Sequence, residues 1–353
     1  MRSMMLIAAA LVASAATVQA DNGLTKGTPD IKSASALAFG PNGLLFIGDP
    51  QSAAIFAVDT GDAKTAGDKP VNVERVDAKL AGLLGTTEKD VKINDVKVNP
   101  ASGNVYLAVT RGTGVGTPAI VRITRTDAVE AVSLKDVPFA KVTIPNPATS
   151  KGATTPITNM VFLGEKLYVA GQSSEAFSST LRVIPVPFPK ETDKGTAIEI
   201  YHGAHDKVET RAPIRTFVTY KVNGEDTLMA AYQCTPLVKL PISELKPGVK
   251  VKGTTIAELG NGNMPLDMIV YTKNGKDYLL VANTKRGVMK IPTDGFAAAE
   301  ALISKPATIP AGVKYETIAE LKGVEQLDKL DAERAILLVK TDAGFDLKTI
   351  PLP

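Results

Sequence analysis

The chain has 353 residues, 44% hydrophobic and 22% charged, an ordinary globular composition. Its formal net charge of +3 provides no basic field for nucleic acid and no acidic field for cationic partners. Tryptophan is absent and aromatics make up 5%, a poor supply of stacking platforms, and the single cysteine excludes an intrachain disulfide.

The N-terminus reads as a targeting segment. Arg2 supplies the positive charge, residues 4–16 are largely apolar, and Val18-Gln19-Ala20 fits a small-x-small cleavage motif before Asp21. An uncleaved anchor helix is the alternative, although the apolar run is short for a span. No later stretch reaches about 18 apolar residues, so the expected product is one soluble, exported domain, 21–353, without a membrane span.

Residues 33–59 set a pattern that the rest of the chain repeats. Three short apolar runs, 36–39, 44–47 and 55–58, are separated by Pro41-Asn42-Gly43 and by residues 48–52. A fourth run, 71–76, alternates apolar and polar. An insert follows, with Leu80, Leu83 and Leu84 predicting a short helix that ends at Gly85. The second copy is 95–98, 105–109, 120–123 and 140–144. The third is 157–162, 167–170, 181–186 and 197–201. The fourth is 216–220, 228–232, 237–240 and 255–259, with Asn223-Gly224 at its first turn. The fifth is 267–271, 278–282, 288–291 and 317–321, turning at Asn274-Gly275. The last is 324–330, 335–339 and 345–350. The sequence TIAEL appears as a fourth strand twice, at 255–259 and 317–321.

Copies recurring at roughly 50–60 residues, each a four-stranded antiparallel meander, predict an all-β, six-bladed β-propeller. The last copy lacks a fourth strand. Residues 24–31 can supply it by pairing with 345–350, so the N-terminal strand closes the ring and removes two open edges. A seven-bladed reading would need strands hidden between residues 77 and 93.

In such a ring the loops entering each blade and the loops between second and third strands share one face, the top, where ligands usually sit. The top-face candidates are Asp49, Arg111, Gln172, His202, His205, Arg211, Cys234 and Arg286. Polar residues in these loops are also what any propeller turns toward water. Asn94, Asp95, Asn159 and Asp267 open or flank three inner strands, and Asn283 can join them from a neighbouring loop. Oxygen donors from separate blades suit a hard cation such as Ca²⁺. His202 and His205 lie on the loop into the fourth blade, whose own top loop carries Cys234. Imidazole and thiolate donors suit zinc or copper. The plainer reading makes His202 a strand end, His205 a solvated residue and Cys234 a small core filler. No GxSxG elbow, P-loop, CxxCH or HExxH motif is present.

The segments INDVKVNPASGNVYLAV (93–109) and PLDMIV (265–270) resemble the inner hairpins of six-bladed propellers of the NHL-repeat and gluconolactonase/arylesterase kind. That resemblance implies a divalent metal held by Asn94, Asp95, Asn159, Asp267 and Asn283, polarising an ester carbonyl. Those lactonases commonly carry a glutamate ligand at the start of the first blade, where this chain has Ser33-Ala34-Ser35. The leading expectation is a monomeric periplasmic or secreted propeller that binds a small molecule or a protein partner through its top-face loops. The alternative is a metal-dependent lactonase or esterase at the channel mouth, and a third reading is a partner subunit of a redox enzyme.

Overall fold

Asn or Pro followed by glycine turns the chain back on itself at the first hairpin of several repeats. Asn42-Gly43, Asn223-Gly224 and Asn274-Gly275 all adopt positive φ (56° and 76°, 51° and 80°, 52° and 72°), backbone that asparagine and glycine enter most cheaply. A computed structural model describes residues 23–148, 155–234 and 236–353. The targeting segment expected at 1–20 lies outside the described residues.

The turns fold the described chain into six antiparallel sheets arranged as a β-propeller. Blade 1 has Leu37–Phe39 innermost, then Leu44–Asp49, Ala54–Asp59 and Val137–Thr143. Blade 2 is Val91–Val98, Val105–Arg111, Thr117–Ile123 and Val129–Ala131. Blades 3, 4 and 5 start with Asn159–Leu163, Ile214–Val222 and Pro265–Lys273, and follow the expected strand order outward. Blade 6 contains Val324–Lys329, Arg334–Thr341 and Gly344–Pro351.

Six hydrophobic clusters each fill the wedge between two blades, and they give the order around the ring. Blade 1 packs on blades 2 and 3, and blade 2 packs on blades 1 and 6. The remaining clusters join blades 3 and 4, 4 and 5, and 5 and 6. The ring therefore runs 2-1-3-4-5-6. Blade 2 is inserted into blade 1 between its third and fourth strands.

This insertion corrects three expectations. The run 71–76 is not the fourth strand of blade 1; Asn72–Val73 pairs with blade 6, Val73 opposite Leu347. Residues 140–144 do not finish blade 2; Val137–Thr143 returns to pair with Ala54–Asp59 of blade 1. Residues 24–31 do not close the ring; Thr25–Gly27 adds a fifth, outermost strand to blade 1, Thr25 opposite Phe139. Burial explains the choice. Val71 and Val73 are 0% and 1% exposed among Leu80, Val96 and Leu347, whereas the strand at Thr25 lies largely in solvent. The helix Val76–Leu84 ends at Gly85 (φ 64°), as expected, and plugs Leu80 into the same wedge. Among the described residues no helix is long and apolar enough to cross a membrane.

Candidate functional site

The axis of the ring carries one layer of equivalent residues. Four inner strands bulge, at Asn94, Arg215, Leu266 and Glu325, immediately before an axial residue. A bulge adds a residue and re-aims the next side chain. Asp95, Asn159, Thr216 and Asp267 then pair with Ala108, Ala170, Ala231 and Ala282 respectively, the same register in four blades. Two of the predicted oxygen donors, Asp95 and Asp267, do converge. Between them lies the ammonium of Lys97, 3.8 Å from Asp95 Oδ1 and 3.4 Å from Asp267 Oδ2. Gln326, with its amide oriented to donate, reaches Asp95 Oδ1 at 3.3 Å and Asp267 Oδ2 at 3.2 Å.

The carboxylates also staple blades together. Asp95 Oδ2 accepts the Leu37 N–H of blade 1 (2.7 Å), and Asp267 Oδ2 that of Leu327 in blade 6 (3.2 Å). Asp328 Oδ2 accepts the Val98 N–H of blade 2 (2.7 Å). Burial pushes Asp95 up to about 7, against the pull of Lys97, and the charge of Asp267 adds to the rise. Burial likewise raises Asp328. Burial would discharge Lys97, but Asp267, Asp95 and Asp328 outweigh it and hold the ammonium above its ordinary range. Lys97 and Asp328 were not among the sequence candidates. Strand alternation was the available signal, since Asp95 and Lys97, and Gln326 and Asp328, are each two apart and share a face.

The other predicted oxygen donors lie elsewhere or stay idle. Asn94 Nδ2 donates to Ala34 O and Thr110 Oγ1, both at 2.8 Å. Asn283 Oδ1 accepts from Asn263 Nδ2 (3.0 Å) within the top loops of blade 5. Asn159 is 8% exposed and its Oδ1 has no partner. Asn159, Lys97 and Asp267 line an axial cavity of about 640 Å³ that continues to the first-hairpin turns at Pro100, Asp331 and Ala332. Its lining contains none of the top-face candidates.

Most top-face candidates serve the loops that carry them. Asp49 is fully buried; Oδ1 accepts from Ser33 N, Ser33 Oγ and Ser52 N, and Oδ2 from Lys32 N. Arg111 donates to Leu84 O at the helix end (3.0 Å). Gln172 accepts from Thr155 N and donates to Arg211 O (2.8 Å), so Arg211 contributes its backbone there. Arg286 lies over Gly260.

Three candidates meet on the rim of blade 4. His202 ends the outer strand Thr196–His202 of blade 3, and the 3-10 turn Gly203–His205 carries the chain back. The two imidazole centroids are 4.1 Å apart. Cys234 sits beyond Glu225–Tyr232 with φ 61°, and its N–H donates to Asn263 O (2.8 Å). One side-chain donor atom from each of His202, His205 and Cys234 lies within 4.8 Å of the others. His202 is 3% exposed, and among the described residues neither ring nitrogen has a hydrogen-bond partner. Burial, then the charge of His205, lowers it to about 4, so the imidazole is neutral with its lone pair available. Beneath the turn, fully buried Glu258 accepts the Gly203 N–H (2.6 Å). Burial raises this carboxyl to about 7 although the Ala204 and Gly203 N–H groups pull it down, and its Oε2 has no partner.

No protein-family model matches the chain, and no curated protein matches it. Its shape is similar to several solved structures at very low identity. One is a chain of the Mitotic Checkpoint Complex, 8% identical over 99% of both chains, TM-score 0.40. Another is a putative oxidoreductase (glucose dehydrogenase) from Thermus thermophilus, 12% identical over 93% of this chain and 100% of that one, TM-score 0.36. A third is the PQQ-bound aldose sugar dehydrogenase of Streptomyces coelicolor, 13% identical over 92% and 97%, TM-score 0.29. At these scores the likeness assigns neither activity nor cofactor.

On the rim, the three donor atoms can be compared with the geometry of a bound ion. Tetrahedral zinc with bonds of about 2.0–2.3 Å holds its donors about 3.3–3.8 Å apart. The His202, His205 and Cys234 donors need to draw in by only about 1 Å to meet such an ion. His205 is exposed on a single 3-10 turn and is the ligand free to move. Three protein donors leave a coordination position open to solvent.

Proposed function

We propose that the protein is an exported six-bladed propeller whose working site is the His202–His205–Cys234 centre, and that its ligand is Zn²⁺ or a copper ion. One observation carries the reading. The whole chain contains two histidines and one cysteine, and the fold gathers all three, leaving a buried imidazole with no hydrogen-bond partner. A buried polar group without a partner costs about 1–3 kcal/mol, so the arrangement gains most when an ion satisfies it. Mixed imidazole and thiolate donors select zinc or copper over Ca²⁺. The reading favours metal binding over ester hydrolysis at the axis, because Lys97 already sets a cation between Asp95 and Asp267. Export is supported by Arg2, the apolar run 4–16 and Val18-Gln19-Ala20.

Co²⁺ is a spectroscopic stand-in for zinc. Titrating it into the purified protein should produce a thiolate-to-metal charge-transfer band that saturates at one equivalent and is absent from Cys234→Ser. A spectrum without that band, or one retained by Cys234→Ser, overturns the reading.

A further inference from the structure

One loop of blade 4 touches two things at once. Residues 258–263 hold the backbone of the rim cluster on one side, through Glu258 on the Gly203 N–H and Asn263 O on the Cys234 N–H. On the other side the same loop builds the wall of a second feature. Asn263 Oδ1 accepts the Lys285 N–H (2.9 Å), Leu259 O accepts from Tyr315 Oη (3.3 Å), and the Arg286 guanidinium lies close against Gly260. A Cβ at Gly260 would overlap the guanidinium, and the φ of +137° there suits glycine alone. The loop is thus shaped to admit Arg286.

Next to it is a groove of about 430 Å³ whose lining includes Lys285, Arg286, Lys322, Tyr315, Ile318 and Leu321. Three cations line it and no carboxylate does. None of the three enters an ion pair among the described residues, and the buried Arg286 Nε has no hydrogen-bond partner. Other surface cations do have a carboxylate beside them, as Lys141 has Asp30 and Lys221 has Asp226. A guanidinium fork flanked by two ammonium groups recognises a carboxylate or a phosphate. The half-buried Ile318, Leu321 and Tyr315 add an apolar floor that inorganic phosphate would not use.

We propose that this groove binds a small organic anion, its carboxylate on Arg286 with Lys285 and Lys322, and its apolar body on Ile318 and Leu321. The inference does not depend on a metal at the rim, and it places an anion one loop away from that centre.

The test is calorimetric titration of the whole purified protein, with EDTA present, using benzoate, hexanoate and inorganic phosphate as separate probes. The expected result is saturable 1:1 binding of a carboxylate probe, stronger than phosphate, falling about tenfold or more in Arg286→Gln and less in Lys322→Gln. Unchanged melting temperatures would show that the variants fold. Phosphate binding as tightly as the carboxylates would overturn the organic-anion assignment. No saturable binding by any probe, or equal binding by Arg286→Gln, would overturn the site. Because EDTA is present, neither result depends on the metal reading.

Discussion

The axis and the rim of this propeller both gather polar side chains, and they treat them differently. At the axis, Asp95, Asp267 and Asp328 spend their oxygens on N–H groups of neighbouring blades, and Lys97 supplies the counter-charge. On the rim, His202 is as deeply buried as Asp95 yet keeps both nitrogens idle, and Glu258 keeps one oxygen idle. A polar cluster that completes its hydrogen bonds within the protein holds the fold together. One that leaves them incomplete calls for a further partner, such as an ion or an ordered water. Among the described residues the axial layer keeps two idle atoms, Asn159 Oδ1 and Thr216 Oγ1.

The largest effect should come from removing the axial cation. Lys97→Met leaves three carboxylates without a counter-charge, and breaking a buried pair costs about 3–5 kcal/mol. Urea unfolding at pH 8 should show that loss, with a smaller loss at pH 5, where the acids can take up protons. Ca²⁺ should then stabilise the variant more than the wild type. A loss under about 1 kcal/mol would mean that Lys97 does not hold the axis together.

A smaller effect should follow at the rim. Glu258→Ala removes the acceptor for Gly203 and should cost about 1–3 kcal/mol, whereas Glu258→Gln keeps an acceptor and costs less. Both the turn and the ligand geometry depend on this contact, so zinc affinity should fall about 10–100-fold in Glu258→Ala. Unchanged stability and unchanged zinc affinity would detach Glu258 from the centre.

The finest test is of sign. The Asp95 carboxyl is raised in the folded state, so the stability it contributes is fully present below its unfolded value, near 3.9, and is lost as pH rises through about 7. The difference in unfolding free energy between wild type and Asp95→Asn should therefore shift against the wild type between about pH 4 and 7. A difference that stays level over that range would show that Asp95 is already ionised.

Much of the fold was legible because strands advertise themselves locally. The apolar runs at 105–109 and 228–232 and the turns at Asn223-Gly224 and Asn274-Gly275 need only neighbours in sequence. The insertion of blade 2 was not legible. Val73 and Val142 look equally like strands, and which sheet each joins depends on which wedge has room for a buried valine. The proximity of His202, His205 and Cys234 was legible from rarity, since only two histidines and one cysteine exist and all were assigned to neighbouring top loops. The axial outcome was half legible. Asp95 and Asp267 were placed on the axis correctly, but Lys97 was overlooked because a lysine two residues along a strand reads as solvent-facing until the pleat puts it beside Asp95. Arg286, without an ion pair among the described residues, was visible only as one polar loop residue, since its surroundings come from Gly260 and Lys322, distant in sequence.

The most direct test of the account is metal content measured against stability. The purified protein, stripped and then equilibrated with Zn²⁺ or Cu⁺, should retain one ion per chain. Metal at about 100 times its dissociation constant should stabilise the fold by about 2.7 kcal/mol. His202→Ala and Cys234→Ser should each lose the ion, and Asp267→Asn should keep it. A chain that retains no metal, or one whose metal survives Cys234→Ser and disappears with Asp267→Asn, would contradict the account and return the site to the axis.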